Sequence, residues 1–410
     1  MAKALQRPKR KNPLARTPQP AGLPAARSRQ AHLLTAAAAQ GIFGMPACVE
    51  CEAVHYPPRD ICPRCLSAEI GMREASPLGT LISVTSVHAS TEVYFRERSP
   101  WRAGLTALDA GPSVMCHVHG DCSVGERVRL DWKLDKNGNA AAFAMPHKET
   151  PDMMDDAQLR EMTCDPRFRR VLVTDARSAL GQSVAKALAD AGASVIFAGV
   201  ADMWKPFPGR EALVKIPGIE LTPLNLTDTK SVHDLAAAIG ARVDILINTS
   251  EHIRPGGLMD RNGVALAREE FEAGYLGLLR LAQAFGPVMR FRGADGAAAF
   301  VNIISIYAQM SWPAYGAYSA AQAALLAASQ SLRAELRPGG VRVINVFTGP
   351  IDNEWFQALP PPKVAPAQIG NAIVDALRRG IEDAYVGDVA EDFRARLQLN
   401  PKALERELGQ

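Results

Sequence analysis

The chain has 410 residues, 47% of them hydrophobic and 22% charged, with a formal net charge of +3. That length exceeds what one core usually fills, so two or three globular domains are expected. The near-balance of charge gives no reason to invoke nucleic acid, and no run of about eighteen uncharged apolar residues offers a membrane span.

The first stretch is the exception to that balance. Lys3, Arg7, Lys9, Arg10, Lys11, Arg16, Arg27 and Arg29 meet no acid before Glu50. Pro8, Pro13, Pro18, Pro20 and Pro24 argue against an amphipathic transit helix, and a secretory signal pattern is missing. Residues 1–40 are therefore expected to be a disordered basic arm ending in a short helix over His32–Gly41. Of seven cysteines, four fall in two pairs. An odd count without a signal points to a reducing cytoplasm and to metal ligation, not a disulfide framework.

Residues 41–76 hold those pairs, Cys48-Val49-Glu50-Cys51 and Cys62-Pro63-Arg64-Cys65. Each can place two thiolates on one tight turn, and two turns complete a closed tetrahedral shell, which makes the ion structural. Zinc is the expected metal; an iron centre of the rubredoxin kind would use the same four thiolates. From 77 to 148 short β-like runs alternate with glycine turns at Gly79, Gly111, Gly120 and Gly125, as in a small barrel. Cys116, His117, His119 and Cys122 could be drawn as a second metal site, but on a strand the cysteine and histidines face opposite ways, and ordinary surface histidines are expected. Residues 149–169 read as a polar linker with a short helix. From 170 to 390 apolar runs such as V-D-I-L-I-N and V-R-V-I-N-V-F alternate with helical segments, expected over Ser183–Ala191, Glu269–Arg290 and Ala317–Leu336, the pattern of an α/β doubly wound parallel sheet of Rossmann type. Residues 391–410 are left as a C-terminal tail.

Residues 45–146 combine the two C-x2-C pairs with Tyr56-Pro57-Pro58-Arg59, Thr85-x-x-His88, Gly111-Pro112 and Val124-Gly125-Glu126. This resembles the zinc-ribbon plus OB-fold proteins associated with acyl-CoA and thiolase enzymes. The resemblance implies a module without catalysis of its own, which docks a thiolase-like or other acyl-CoA enzyme and helps seat its substrate.

The stretch Val301–Ala323 carries Ser305 and Tyr318 thirteen residues apart. It resembles the active-site segment of the short-chain dehydrogenase/reductase family. That resemblance implies catalytic roles for Ser305 and Tyr318, an NAD(P) cofactor, and cofactor contacts at Thr174, Gly181, Asn225, Asn248 and Gly349. Several positions depart from the pattern. Gln322 stands where the family has the lysine that stabilises the tyrosine phenolate, whose ordinary pKa is near 10. Gly274 replaces the active-site Asn. Asp175 and Ala179 replace two phosphate-loop glycines, and Asn248-Thr249-Ser250-Glu251 replaces N-N-A-G. A carboxylate ~4 Å from a phosphate costs on the order of 4 kcal/mol at a dielectric of 20, so these losses count against NAD(P). In this family the helix over 317–336 and its predecessor commonly build a dimer interface, which implies a homo- or hetero-oligomer. Two readings of function follow. The first is an accessory or scaffold subunit for acyl-CoA chemistry with a pseudo-dehydrogenase domain. The second is an NAD(P)-dependent oxidoreductase acting on a keto- or hydroxyacyl substrate through Ser305 and Tyr318.

Overall fold

Ser28 opens the first helix, α1 (Arg29–Ala39), by accepting from the Ala31 N–H at 3.2 Å. The computed structural model describes residues 28–151, 153–292 and 296–409, so the arm expected before Ser28 lies outside the described residues. The helix ends where Gly41 takes φ +70°, the left-handed termination glycine allows. Leu34 and Ala38 on its inner face are buried against the barrel. Two short antiparallel strands follow, β1 (Gly44–Cys48) and β2 (Ile70–Glu74).

Five strands then close a barrel in the order β3-β4-β5-β7-β6, leaving no edge to pair with another chain. They are β3 (Leu78–Val87), β4 (Trp101–Leu108), β5 (Ser113–Val118), β6 (Arg127–Leu134) and β7 (Ala140–Pro146). Alternation along the strands sends Leu81, Val114, Val118, Leu130 and Ala144 inward. It sends Trp101, Phe143 and Met145 outward into a second apolar cluster with Leu159 and Met162. Two short helices cover that outer face: α2 (Val93–Glu97) and α3 (Ala157–Met162). Gly104 is required where β4 crosses β3, because a Cβ there would lie 2.5 Å from the Ser83 carbonyl.

The remaining chain builds a seven-stranded, all-parallel sheet in the order β10-β9-β8-β11-β12-β13-β14. Its strands are β8 (Arg170–Val173), β9 (Val195–Val200), β10 (Ile219–Pro223), β11 (Ile245–Asn248), β12 (Ala299–Ser305), β13 (Arg342–Thr348) and β14 (Asp383–Val386). The central strands are buried throughout, as expected for a parallel sheet covered on both faces. Strand order reverses between β8 and β11, the switch point at which such sheets open a cleft. Helix α4 (Ala179–Asp190) packs on one face with α10 (Pro366–Arg379), and α8 (Gly277–Arg292) and α9 (Gly316–Leu336) pack on the other. The intervening helices are α5 (Arg210–Val214), α6 (Thr229–Ile239) and α7 (Gly263–Glu270).

Three expectations change. The helix expected from Ser183 starts earlier, at Ala179, because the Ser178 hydroxyl accepts from the Gly181 N–H at 3.1 Å and caps it. The single helix expected over Glu269–Arg290 is broken by a π-helical turn, Phe271–Leu276, between α7 and α8. Residues 391–410 do not trail away as a tail: α11 (Asp388–Leu399) and α12 (Pro401–Leu408) bury Phe393 and Leu404 on the sheet's second face.

Barrel and sheet are joined by polar contacts. Arg342, the first residue of β13, donates to the carbonyls of Leu134 (2.9 Å) and Met162 (3.2 Å). The Glu382 N–H donates to Ala39 O at 2.8 Å. Among the described residues no helix is long and apolar enough to cross a membrane.

Candidate functional site

The two cysteine pairs fold as copies of one turn. Glu52 N–H donates to Cys48 O at 3.0 Å and Leu66 N–H to Cys62 O at 3.1 Å. Glu52 and Leu66, each directly after the second cysteine of its pair, take φ 57° and 62°. The turns bring all four Sγ atoms within 4.8 Å of one another. Cys48–Cys65 and Cys51–Cys62 approach to 3.5 and 3.6 Å, close to the roughly 3.8 Å edge of a tetrahedron with metal–sulfur bonds of about 2.3 Å. Backbone N–H groups of Cys65 and Arg64 draw the Cys62 thiol down to about 6. Cys65 goes the other way, to about 12: the Ser67 N–H lowers it, and desolvation and the neighbouring sulfurs outweigh that. Four thiolates this close repel one another until a cation sits between them, and zinc supplies that charge in a closed, structural shell.

The second metal site drawn from the sequence does not form. Among the described residues only the four cysteines above cluster as metal ligands. The histidines are nonetheless not the surface residues expected: His119 is buried, with Nε2 3.1 Å from Met153 O, and half-buried His117 pairs with Trp101. Cys116 faces the barrel interior beside Thr106.

The sheet's cleft, of about 430 Å³, opens above the ends of β8, β9 and β11. Of the residues proposed to hold a cofactor, Thr174 and Asn225 line it. The others do not line it. Asn248 ties β11 to its neighbours through Thr174 Oγ1 (3.3 Å) and Asn302 Oδ1 (3.5 Å). A Cβ on Gly181 would lie 1.7 Å from the Asp175 carbonyl, and one on Gly349 would meet Val389 at 3.0 Å.

Ser305 closes β12 and Tyr318 lies in the first turns of α9, with a hydrogen bond between their hydroxyls. Gln322, one turn further on, turns its Oε1 to the Ser305 backbone N–H at 2.9 Å. Both residues are buried, so this contact fixes the strand end to the helix. Gly274 lies in the π-helical turn, and a Cβ there would meet only Leu325, at 4.0 Å. No packing demand explains the glycine.

Carboxylates gather around the tyrosine. Desolvation, then Glu354 and Asp175, push half-buried Glu251 up to about 8. Glu270 is raised to about 7, chiefly by burial, against the opposing pull of the Arg254 N–H and guanidinium. Asp175 is raised by desolvation although its Oδ1 accepts from the Arg177 N–H at 3.0 Å. Tyr318 is held well above the ordinary tyrosine value, by burial first and then by Glu251; the Ser305 hydrogen bond only partly opposes this. Asp175, Glu251 and Glu354 all line the cleft. Arg177 is the basic side chain lining the cleft that could meet a pyrophosphate, and Asp175, Glu251 and Glu354 would repel one wherever they ionise. The sequence carried a trace of Glu251, in the altered N-T-S-E, but none of Glu270 or Glu354, which other segments bring in.

Three family models match the chain in series: "ChsH2, rubredoxin-like zinc ribbon domain" over 35–71, "ChsH2, C-terminal OB-fold domain" over 72–133, and "short chain dehydrogenase" over 169–363. "Short-chain dehydrogenase ptmH" of Penicillium ochrochloron is 34% identical over 150 residues, which are 34% of this chain and 53% of that protein. The chain thus spans about half the length of that curated relative. The 1-deoxy-11-beta-hydroxypentalenate dehydrogenase of Streptomyces exfoliatus is 30% identical over 203 residues, 48% of this chain and 72% of that protein. A solved short chain dehydrogenase from Burkholderia cenocepacia J2315, in complex with NADP, superposes with a TM-score of 0.54 at 31% identity, over 60% of this chain and 98% of that one. The chain belongs to the short-chain dehydrogenase family, and ahead of that domain it carries a ChsH2-type zinc ribbon and OB fold.

Proposed function

We propose that this protein is an accessory subunit for acyl-CoA chemistry. Its ChsH2-type module docks a thiolase-like or related acyl-CoA enzyme, and its dehydrogenase-type domain builds an oligomer in place of turning substrate over. One observation carries this reading: the Gln322 carboxamide is bound to the Ser305 N–H, where the family's chemistry needs a cation beside the tyrosine. A tyrosine with carboxylates for neighbours and no ammonium keeps its proton at neutral pH, so it is a poor acid–base. The groove between α8 and α9, lined by Leu278, Leu279, Phe291 and Leu332, offers an apolar face for a second subunit.

The test is a titration of the full-length, zinc-loaded protein with NADH and NADPH, followed by nicotinamide fluorescence. The expected result is no saturable binding up to millimolar cofactor and no reduction of β-ketoacyl-CoA. Micromolar binding with turnover lost in Tyr318→Phe would overturn the reading.

The Ser305–Tyr318 hydrogen bond and the NADP-bound relative favour a second reading, an NAD(P)-dependent oxidoreductase acting on a keto- or hydroxyacyl substrate. In that case Ser305 would polarise a carbonyl and Tyr318 would donate to its oxygen. The same titration separates the two.

A further inference from the structure

A second cavity, of about 390 Å³, lies between the outer face of the barrel and the helices α2 and α3 that cover it. Its volume is in the range of small-molecule sites, about 300–1,000 Å³. Phe95 and Trp101 form an edge-to-face corner with ring centroids 5.2 Å apart, and Ala141 and Met162 complete the apolar wall.

The polar groups divide into occupied acceptors and open donors. Glu161 accepts from the Tyr94 hydroxyl at 2.7 Å and from Arg98 Nε at 3.0 Å. Asp135 accepts from the N–H groups of Asn137 and Asn139 at 2.9 and 2.8 Å. On the donor side, the Trp101 indole N–H lies 2.8 Å from His117 Nδ1. An indole nitrogen only donates, so Nδ1 must accept and the neutral ring carries its proton on Nε2. Burial keeps that ring neutral, with its pKa lowered to about 4. Among the described residues neither His117 Nε2 nor the Lys136 ammonium has a partner within hydrogen-bonding distance, and both residues line the cavity.

We propose that this cavity is a binding site for a small neutral carbonyl compound with an apolar or aromatic body, its oxygen accepting from His117 Nε2–H and its body packed on Trp101 and Phe95. Glu92, Asp135 and Glu161 border the same space and outnumber the Lys136 ammonium, so a carboxylate is disfavoured relative to a ketone, ester or thioester. The site is separate from the dehydrogenase-type cleft and does not depend on the function proposed above.

Calorimetric titration of the full-length, zinc-loaded protein with propiophenone, benzoate and benzylamine tests it with three ring-bearing probes: a neutral carbonyl, an anion and a cation. Propiophenone is expected to bind saturably, with the two ions at least about tenfold weaker. Removing the donor in His117→Phe should weaken propiophenone about tenfold. Ala141→Phe, which sets a ring in the cavity, should abolish binding without lowering Tm. Absence of saturable propiophenone binding, tightest binding of benzylamine, or unchanged affinity in the Ala141→Phe protein would each overturn the proposal. The last comparison decides even if His117→Phe fails to fold.

Discussion

Gln322 accepts the Ser305 N–H across 2.9 Å between two buried positions, and the cost of removing it can be argued from that bond alone. Gln322→Leu leaves a buried donor unpaired, at about 1–3 kcal/mol, and should lower Tm without changing the oligomer measured by light scattering. The carboxylates nearby make a sharper statement, about pH. Glu270 has a folded pKa of about 7 against an ordinary 4.5, and Glu251 one of about 8. A raised carboxyl pKa means the folded state holds the proton more tightly than the unfolded one. The stability each contributes is therefore present at low pH, starts to fall as pH rises through about 4.5, and is fully lost above about 7 to 8. Urea melts between pH 5 and 8 should show stability declining across that window. Glu270→Gln, which keeps the acceptor for the Arg254 N–H at 3.0 Å, should flatten the decline by about 1–3 kcal/mol. An unchanged slope would mean that Glu270 is ionised in the folded protein.

The ribbon offers a test at the scale of elements, because β1 and β2 are five residues each and form a two-stranded sheet of their own. Two such strands do not stand alone, so the metal must supply what the core does not. Stripping the ion, or replacing Cys48 with Ser, should leave the amides of Gly44, Met45, Ala47 and residues 70–74 exchanging rapidly with solvent while 299–305 stay protected. Trp132 should report the same event by fluorescence, since its ring stacks on Phe43 and Tyr56 and its indole N–H donates to Gly44 O. Elements like this one are legible in sequence because their signals are local. Cys48-x-x-Cys51 and Cys62-x-x-Cys65 state a turn and its chemistry together, and apolar runs such as V-R-V-I-N-V-F state a buried strand. What sequence could not convey is who meets whom. Glu270 belongs to α7 and Tyr318 to α9, and only the packing of these two helices against each other makes them neighbours. The outward cluster of the barrel escaped for the same reason: Trp101 and Phe143 alternate with inward residues as on any exposed strand, and only α2 and α3, separate in sequence, show that their face is covered.

At the scale of the whole molecule two contacts set how the parts move together. The first is the α8–α9 groove, which leaves Phe291 59% exposed beside Leu332. If it is the subunit interface, Ala328→Arg places a charge in it and should halve the mass measured by sedimentation while leaving the monomer folded. The second is internal. Arg342 begins a central strand of the sheet yet turns its guanidinium to Leu134 O at the end of β6 and to Met162 O at the end of α3. It is 9% exposed, so these charge-assisted bonds are largely shielded from water, and each contributes about 1.5–3 kcal/mol. One side chain thus ties the sheet to the barrel and to the segment between them. Arg342→Met fills similar space but leaves both carbonyls without this donor. The barrel and the sheet each keep their own core, so neither should unfold. They should instead stop unfolding together: the single calorimetric transition expected of the parent should split into two, with the calorimetric enthalpy exceeding the van't Hoff value. One unbroken transition at a lower temperature would instead mean that the remaining contacts, Glu382 N–H to Ala39 O among them, are enough to couple the halves.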